Sequence, residues 1–308
     1  MSLRVVFMGS PQFAVPTLEA LHRNFTVSGV VTQPDKPRGR GRKSIPTDVK
    51  ATALRLGLPV AEPRTVSSPD TRALLEEWNP DVLVVVAYGK ILPRAVLDLP
   101  RMGGVNLHAS LLPRHRGASP ISAAILAGDQ VTGVTTMVMD VGMDTGDILL
   151  QENVAIDPND TAGSLHDKLL KPGAELIVRT LVALDAGTIE PIPQDHSKAT
   201  YTRLLSKEDG RLDWAKESDY LDRLIRAVNP WPGAFFELGG ETMKVWQASV
   251  ALGEGTPGRV EAIGPEGIVV GTGKGLLVLG QIQAPGKKRM SAVEFARGRR
   301  VHVGDSFT

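Results

Sequence analysis

Two short runs in this sequence carry side chains suited to stabilising an oxyanion and moving a proton. The first is Asn106-Leu107-His108, within VNLHAS. Side chains two apart on a strand share a face, so Asn106 and His108 point together while Val105 and Leu107 pack inward. A carboxamide donor beside an imidazole can hold a developing negative charge and handle a proton. The second run is Asp140-Val-Gly-Met-Asp144-Thr-Gly-Asp147, in which Gly142 and Gly146 flank Asp144. A tight glycine-flanked turn fixes a carboxylate that can orient a histidine or relay a proton. Taken alone, the first run also reads as a solvent-facing strand end and the second as a plain polar turn. A hard-cation site is a poor fit to the three acids: their order differs from the D-x-D-x-D-G calcium loop and no further ligand follows.

Two further runs are cationic. QPDKPRGRGRKS (33–44) places Lys36, Arg38, Arg40, Arg42 and Lys43 within eight residues with no acid among them. Its glycines and prolines predict a protruding loop, of a kind that can follow a phosphate backbone; a solvated charge run is the other reading. GKKRMSAVEFARGRR (286–300) carries Lys287, Lys288, Arg289, Arg297, Arg299 and Arg300. The whole chain balances 35 basic against 34 acidic residues, a net charge of +1. A globally basic nucleic-acid binder is thereby excluded, while local patches are not.

The elements that must position these residues follow from pattern. With 308 residues, 42% of them hydrophobic, the chain is long enough for two domains. Up to Gly187, strand-like runs (3–9, 27–31, 81–89, 105–110, 134–140, 147–156) alternate with helical ones (13–23, 47–57, 69–78, 161–186). That alternation predicts a doubly wound, Rossmann-like α/β domain. DVLVVVAYG (81–89) has no polar alternation and reads as a strand buried on both faces. Asn106 and His108 then sit at the carboxyl end of a strand, where such sheets bind ligands. Residues 190–207 lack a period and read as a linker. A helix at about 217–228 precedes short strands every 8–12 residues, the spacing of a small β-barrel or sandwich; an OB-like barrel is expected, on which the cations of 286–300 can face nucleic acid. The expected division is therefore 1–189, linker 190–207, and 208–308.

Other chemistries are excluded. The chain has no cysteine, so disulfides, thiolate catalysis and cysteine-built metal sites are out, and a cytoplasmic setting fits. The apolar part of MSLRVVFMGSPQF is too short for a signal peptide, and no apolar run nears the ~20 residues of a membrane span. GSPQFA lacks the G-x-G-x-x-G spacing of a dinucleotide site, GTGKG (271–275) is not a phosphate-binding P-loop, and G-x-S-x-G and H-E-x-x-H are missing. His22, His166, His196 and His302 stand apart from other reactive residues and read as surface or structural.

Asn106-Leu-His108-Ala-Ser110-Leu-Leu-Pro113, then Arg116-Gly117-Ala118, then Met143-Asp144-Thr145-Gly146-Asp147, together resemble the signature of the folate-dependent formyltransferases. TQPDKPRGRGRK, LLSKEDGRLDW, IRAVNPWPGAFF and APGKKRMSAVEF extend the resemblance over the whole chain, towards the branch that acts on methionyl-tRNA. Arg289 departs from the proline more common at that place. The resemblance implies formyl transfer from 10-formyltetrahydrofolate to the α-amine of methionine on initiator tRNA, without a metal. It gives Asn106 and His108 as oxyanion donors and Asp144 as the group that positions His108 and carries the amine proton. It puts Ser110, Leu111, Leu112, Pro113 and Leu92 against the folate. Lys36, Arg38, Arg40, Arg42, Lys43, Lys287, Lys288 and Arg289 would face the tRNA. A bacterial, cytoplasmic monomer without membrane attachment is expected. The signature in the first part of the chain alone also permits a nucleotide-linked amino sugar as acceptor.

Overall fold

The computed structural model describes residues 3–38 and 43–308. They form two compact units that are not contiguous in sequence. One comprises residues up to Gly117, Val131–Ala155 and His166–Thr202; the other comprises Ala118–Gln130, Ile156–Leu165 and Arg203–Thr308.

The first unit begins with β1 (Arg4–Gly9), α1 (Val15–Asn24) and β2 (Thr26–Val31). A short antiparallel ribbon follows, β3 (Lys36–Arg38) against β4 (Lys43–Ile45), within the segment that the sequence predicts as a loop. Next come α2 (Asp48–Arg55), β5 (Val60–Ala61), α3 (Pro69–Trp78), β6 (Val82–Val86), α4 (Arg94–Leu97), β7 (Gly104–His108) and β8 (Arg116–Gly117). After α5 (Pro120–Ala127), which belongs to the second unit, come β9 (Val131–Val138), β10 (Ile148–Ala155), α6 (Ala162–Asp185) and β11 (Tyr201–Thr202).

Seven strands make one sheet in the order β10-β9-β7-β6-β1-β2-β5. Pairing is parallel from β5 to β7 and antiparallel from β7 to β10. Every residue of β6 is buried, as its unbroken apolar run predicts. The strand order reverses between β1 and β6, so a crevice opens at their carboxyl ends, and β7 lies beside β6 on that edge. Local signals set the helix ends. The Ser68 hydroxyl accepts from the Thr71 amide, Pro69 opens α3, and Asn79 ends it at φ +45°, the expected cap, first-turn proline and left-handed stop.

The second unit holds α7 (Ser218–Ala227), β12 (Ala234–Leu238), β13 (Glu241–Ala251), β14 (Val260–Gly264), β15 (Gly267–Gly271), β16 (Leu276–Gln283), β17 (Met290–Ser291) and α8 (Ala292–Arg299). Its antiparallel sheet runs β12-β13-β16-β15-β14, with β17 on β16. The segment 304–308 joins the two edges. Phe307 N donates to Gly258 O (2.8 Å) and Val260 N to Asp305 O (2.8 Å), while Thr308 N donates to Glu237 O on β12 (3.1 Å). The sheet is thereby closed into a small barrel. Phe307 stacks on Phe236 at 4.3 Å and leans on Trp214 at 6.3 Å. Leu221, Leu224 and Ile225 of α7 are buried at helical spacing, each burial contributing about 1.5–3 kcal/mol. The placement of α5 follows from its partners: Arg223 on α7 donates to Leu126 O (3.1 Å), and Leu126 packs against the barrel core.

Candidate active site

Strand β7 delivers Asn106 and His108 to one face, with Val105 and Leu107 buried on the other. The two polar residues differ in what holds them. Asn106 is half-buried, and its carboxamide has no hydrogen-bond partner among the described residues. His108 is buried, which excludes the solvent-facing reading, and its Nε2 donates to the His115 carbonyl at 3.0 Å. His115 turns that carbonyl inward from a left-handed backbone at φ +58°, and its own amide donates to Thr200 Oγ1 (2.8 Å).

Asp144 faces the other ring nitrogen. Its Oδ2 lies 3.7 Å from His108 Nδ1, beyond hydrogen-bond range but close enough to pair with an imidazolium. The direct anchor of the carboxylate is the Gly117 amide, which donates to Oδ2 at 2.7 Å. Asp144 therefore does not position His108 through a direct hydrogen bond; the His115 carbonyl does that. Asp140 shapes the turn, its carboxylate accepting from Gly142 N (2.9 Å) and Thr145 Oγ1 (2.7 and 2.8 Å). The left-handed residue of the turn is Asp144 itself, at φ +53°. Gly146 serves close approach instead: a Cβ there would lie 1.8 Å from Val138 O. The Asp147 main-chain carbonyl accepts from Val138 N.

The loop after β7 is held by a hydroxyl–amide cluster. Thr135 Oγ1 donates to Ser110 O (2.6 Å) and accepts from Leu112 N (3.2 Å) and Gln151 Nε2 (2.9 Å). Gln151 Nε2 also reaches Leu112 O (2.9 Å). The Ser110 hydroxyl is buried and donates to Arg114 O (2.6 Å), so it closes the loop. Leu92 and Leu112 are buried in the core, so what they offer a ligand is main chain, whereas Leu111 and Pro113 are half-exposed. The buried hydroxyl of Tyr88, just past β6, has no partner among the described residues, and burial pushes its pKa up to about 12. Among the described residues, no group of three or more acidic, histidine or cysteine side chains could hold a metal ion.

A carboxamide without a partner, a buried imidazole and an anchored carboxylate around the open edge of a parallel sheet can polarise a carbonyl and take a proton from a nucleophile. The formyl transferase family model matches residues 3–181, and the formyl transferase C-terminal domain model matches 204–300. The chain belongs to the formyl transferase family. It is 47% identical over 303 residues to the methionyl-tRNA formyltransferase of Geobacter metallireducens, covering 98% of this chain and 97% of that one. It is also 47% identical to the methionyl-tRNA formyltransferase of Agathobacter rectalis, covering 99% and 100%. Among solved structures, the N-formyltransferase of Helicobacter canadensis, in complex with folinic acid and dTDP-3-aminofucose, superposes with a TM-score of 0.69 at 19% identity, covering 91% of this chain and all of that one. HypX of Aquifex aeolicus with tetrahydrofolic acid superposes at 0.62 and 18%, covering all of this chain and 51% of that one. At such identities these two structures show the shared fold alone.

The cationic residues of this formyl transferase fall in two places. Lys36 and Arg38 lie on β3 and Lys43 on β4 of the ribbon, while Arg40 and Arg42 lie outside the described residues. In the second unit, Lys287, Lys288 and Arg289 are exposed. The Arg289 guanidinium lies 3.6 Å from the ring centre of Trp246, and Lys244 Nζ lies 5.4 Å from it. Arg299, by contrast, is paired with Glu241. Sequence reasoning missed Trp246 and Lys244; their signal is an aromatic and a cation two apart on one face of β13. It also missed Gln194, a polar residue in an aperiodic run. His196 accepts from Arg116 at 3.1 Å, and the His166 ring lies tilted against Phe13, with ring centres 5.3 Å apart. No helix among the described residues is long and apolar enough to cross a membrane.

Proposed function

We propose that this enzyme transfers the formyl group of 10-formyltetrahydrofolate to the α-amine of methionine on initiator tRNA, giving N-formylmethionyl-tRNA for translation initiation. The observation that carries the reading is the 47% identity to methionyl-tRNA formyltransferases along the full length, through both units. The donor supplies an activated formyl carbon whose oxygen becomes negative when the amine attacks. Asn106 Nδ2, which spends no hydrogen bond on described residues, donates to that oxygen. His108 is fixed by its Nε2 bond, so Nδ1 is the nitrogen that faces the reaction and, when protonated, is a second donor. Asp144 accepts the amine proton, directly or through water, and passes it to the folate nitrogen as the carbon–nitrogen bond to the donor breaks. Two donors aimed at one developing charge in a shielded site are worth several kcal/mol. The half-exposed Leu111 and Pro113, with the main chain of Ser110, Leu112 and Leu92, flank the pterin.

In this reading residues 1–189 carry the chemistry, 208–308 hold RNA, and 190–207 connect them while part of that segment supports the active site. Lys36, Arg38, Arg40, Arg42 and Lys43 meet the acceptor end of the tRNA, and Lys287, Lys288 and Arg289 meet phosphates further along it. Stacking on Trp246 pre-orders the Arg289 guanidinium, which lowers the entropy lost on gripping a phosphate. The enzyme works in the bacterial cytoplasm as a monomer.

The test is formyl transfer to methionine on initiator tRNA, methionine on elongator tRNA, and free methionine, assayed in parallel. Transfer to the initiator species alone is expected. Donor binding without transfer to any of the three would overturn the acceptor assignment and favour a nucleotide-linked amino sugar.

A further inference from the structure

We propose that Gln194 is a positioning residue for formyl transfer, holding the Asp144 turn in place from a buried anchor on Arg116. The proposal rests on the role given to Asp144 above. Arg116 is fully buried, and its partners among the described residues are neutral. Nε and Nη2 both donate to Gln194 Oε1, at 3.1 and 2.6 Å. Nη1 donates to the Tyr201 hydroxyl (3.3 Å) and Nη2 to His196 Nδ1 (3.1 Å). Burying a guanidinium without a carboxylate costs several kcal/mol, so a well-packed apolar residue would serve stability better. The charge instead fixes Gln194.

Only an acceptor can face the two guanidinium donors, so the amide oxygen of Gln194 points to Arg116 and its nitrogen points away. That nitrogen donates to Asp144 O at 2.9 Å and Gly146 O at 2.7 Å. Gln194 is itself buried, so water does not replace these bonds. They pin the turn at its central residue and two residues beyond it, and that central residue, Asp144, sits at φ +53°, a backbone state that costs about 1–3 kcal/mol and persists only where surroundings enforce it. The same Arg116 segment grips the other end of Asp144, because the next amide, Gly117 N–H, donates to its carboxylate. A Cβ at Gly117 would meet Thr202 O at 2.2 Å, so this strand can sit where it does only with glycine there. Gln194 thus holds the main chain of the turn, while the Arg116-Gly117 segment, backed by Thr202, holds the Asp144 carboxylate.

The test is Gln194→Glu. The variant keeps acceptors for Arg116 and adds an ion pair, but it sets a carboxylate oxygen against two carbonyl oxygens where two bonds were donated. Single-turnover transfer from 10-formyltetrahydrofolate to methionyl-tRNA should slow ~10–100-fold, the scale of a misplaced reactive group. The KM for the donor should stay within about twofold, since the donor contacts are untouched. In an Asp144→Asn background the same change should cost less than about twofold more, because residues acting as one unit are not additive. Full rate in Gln194→Glu beside an impaired Asp144→Asn would overturn the positioning role alone, as would an undiminished effect in the double variant. Full rate in Asp144→Asn would overturn the Asp144 assignment itself, and this proposal with it. If Gln194→Glu does not fold, Gln194→Asn keeps both polar functions on a shorter stem and should show the same split between rate and KM.

Discussion

Replacing Asn106 by alanine should separate catalysis from stability more cleanly than any other change at the site. The Asn106 carboxamide is half-buried with no partner among the described residues, so its removal orphans no neighbour. The expected stability cost is within about 1 kcal/mol, the range of substitutions outside packed or bonded positions. For a unit of this size that moves Tm by no more than about 2–4 °C. In the transition state the same side chain loses an oxyanion donor, worth about 2.7–4 kcal/mol, or 10²–10³-fold in kcat. His108→Ala is the control. It should lower kcat on the same scale, but it also removes the bond to the His115 carbonyl, worth about 0.5–1.5 kcal/mol, and opens a cavity at a buried site. Its Tm should fall roughly 5–10 °C. The assay is single-turnover formylation of methionyl-tRNA at saturating donor, with thermal unfolding on the same samples. A kcat for Asn106→Ala within threefold of the parent would refute the donor role. A Tm loss equal to that of His108→Ala would refute the premise that the carboxamide is unspent.

Three more outcomes are expected. Phe307→Ala should destabilise the second unit by about 3–5 kcal/mol, because Phe307 stacks on Phe236 and sits in the closing segment; a loss below 1 kcal/mol by thermal unfolding would deny that 304–308 closes the barrel. The Arg4 amide and the Arg101 guanidinium hold the Asp81 carboxyl below its usual range. The stability this gives is complete above the unfolded value of about 3.9 and is lost as pH falls through the lower folded value; Asp81→Asn should flatten acid unfolding there, and an unchanged profile would exclude the pair. Arg289→Ala should raise the KM for tRNA and reduce its salt slope by about 0.7–0.9 per lost phosphate contact, with the KM for the donor unchanged; equal salt slopes would remove Arg289 from the RNA surface.

Much of this arrangement is legible in sequence because burial writes periodic signals. VLVVV announced a central strand, the helical run 69–78 matches α3, and the two-residue spacing of Asn106 and His108 put them on one face. Groups that act through single long-range hydrogen bonds leave no period. Gln194 lies 78 residues from Arg116 and 48 from Gly146, in a run that reads as a connection. The placement of α5 in the second unit is hidden for a similar reason, since its bond to Arg223 spans 97 residues. Even the glycines of the acid turn mislead in part. They suggest positive φ at Gly142 or Gly146, whereas the left-handed residue is Asp144 and the glycines relieve contacts with Thr145 and Val138.

That last point bears on how the chemistry is kept rigid. Both reactive side chains on the described edge are held by main-chain groups: His108 by the His115 carbonyl and Asp144 by the Gly117 amide. Main-chain partners do not vary with side-chain rotamers, so the aim of each group depends on backbone conformation elsewhere in the chain, seven residues away for His108 and 27 for Asp144. His115 and Asp144 pay for that aim with left-handed φ, and Gly117 adopts φ +106°, a region open chiefly to glycine. Strain of this kind relaxes unless neighbours oppose it. Thr200 bonds the His115 amide and Thr202 Oγ1 bonds Arg116 O, so the opposition comes from residues 194–202. The geometry that aims His108 and Asp144 is therefore set as much by this distant segment as by the motifs that carry the reactive groups.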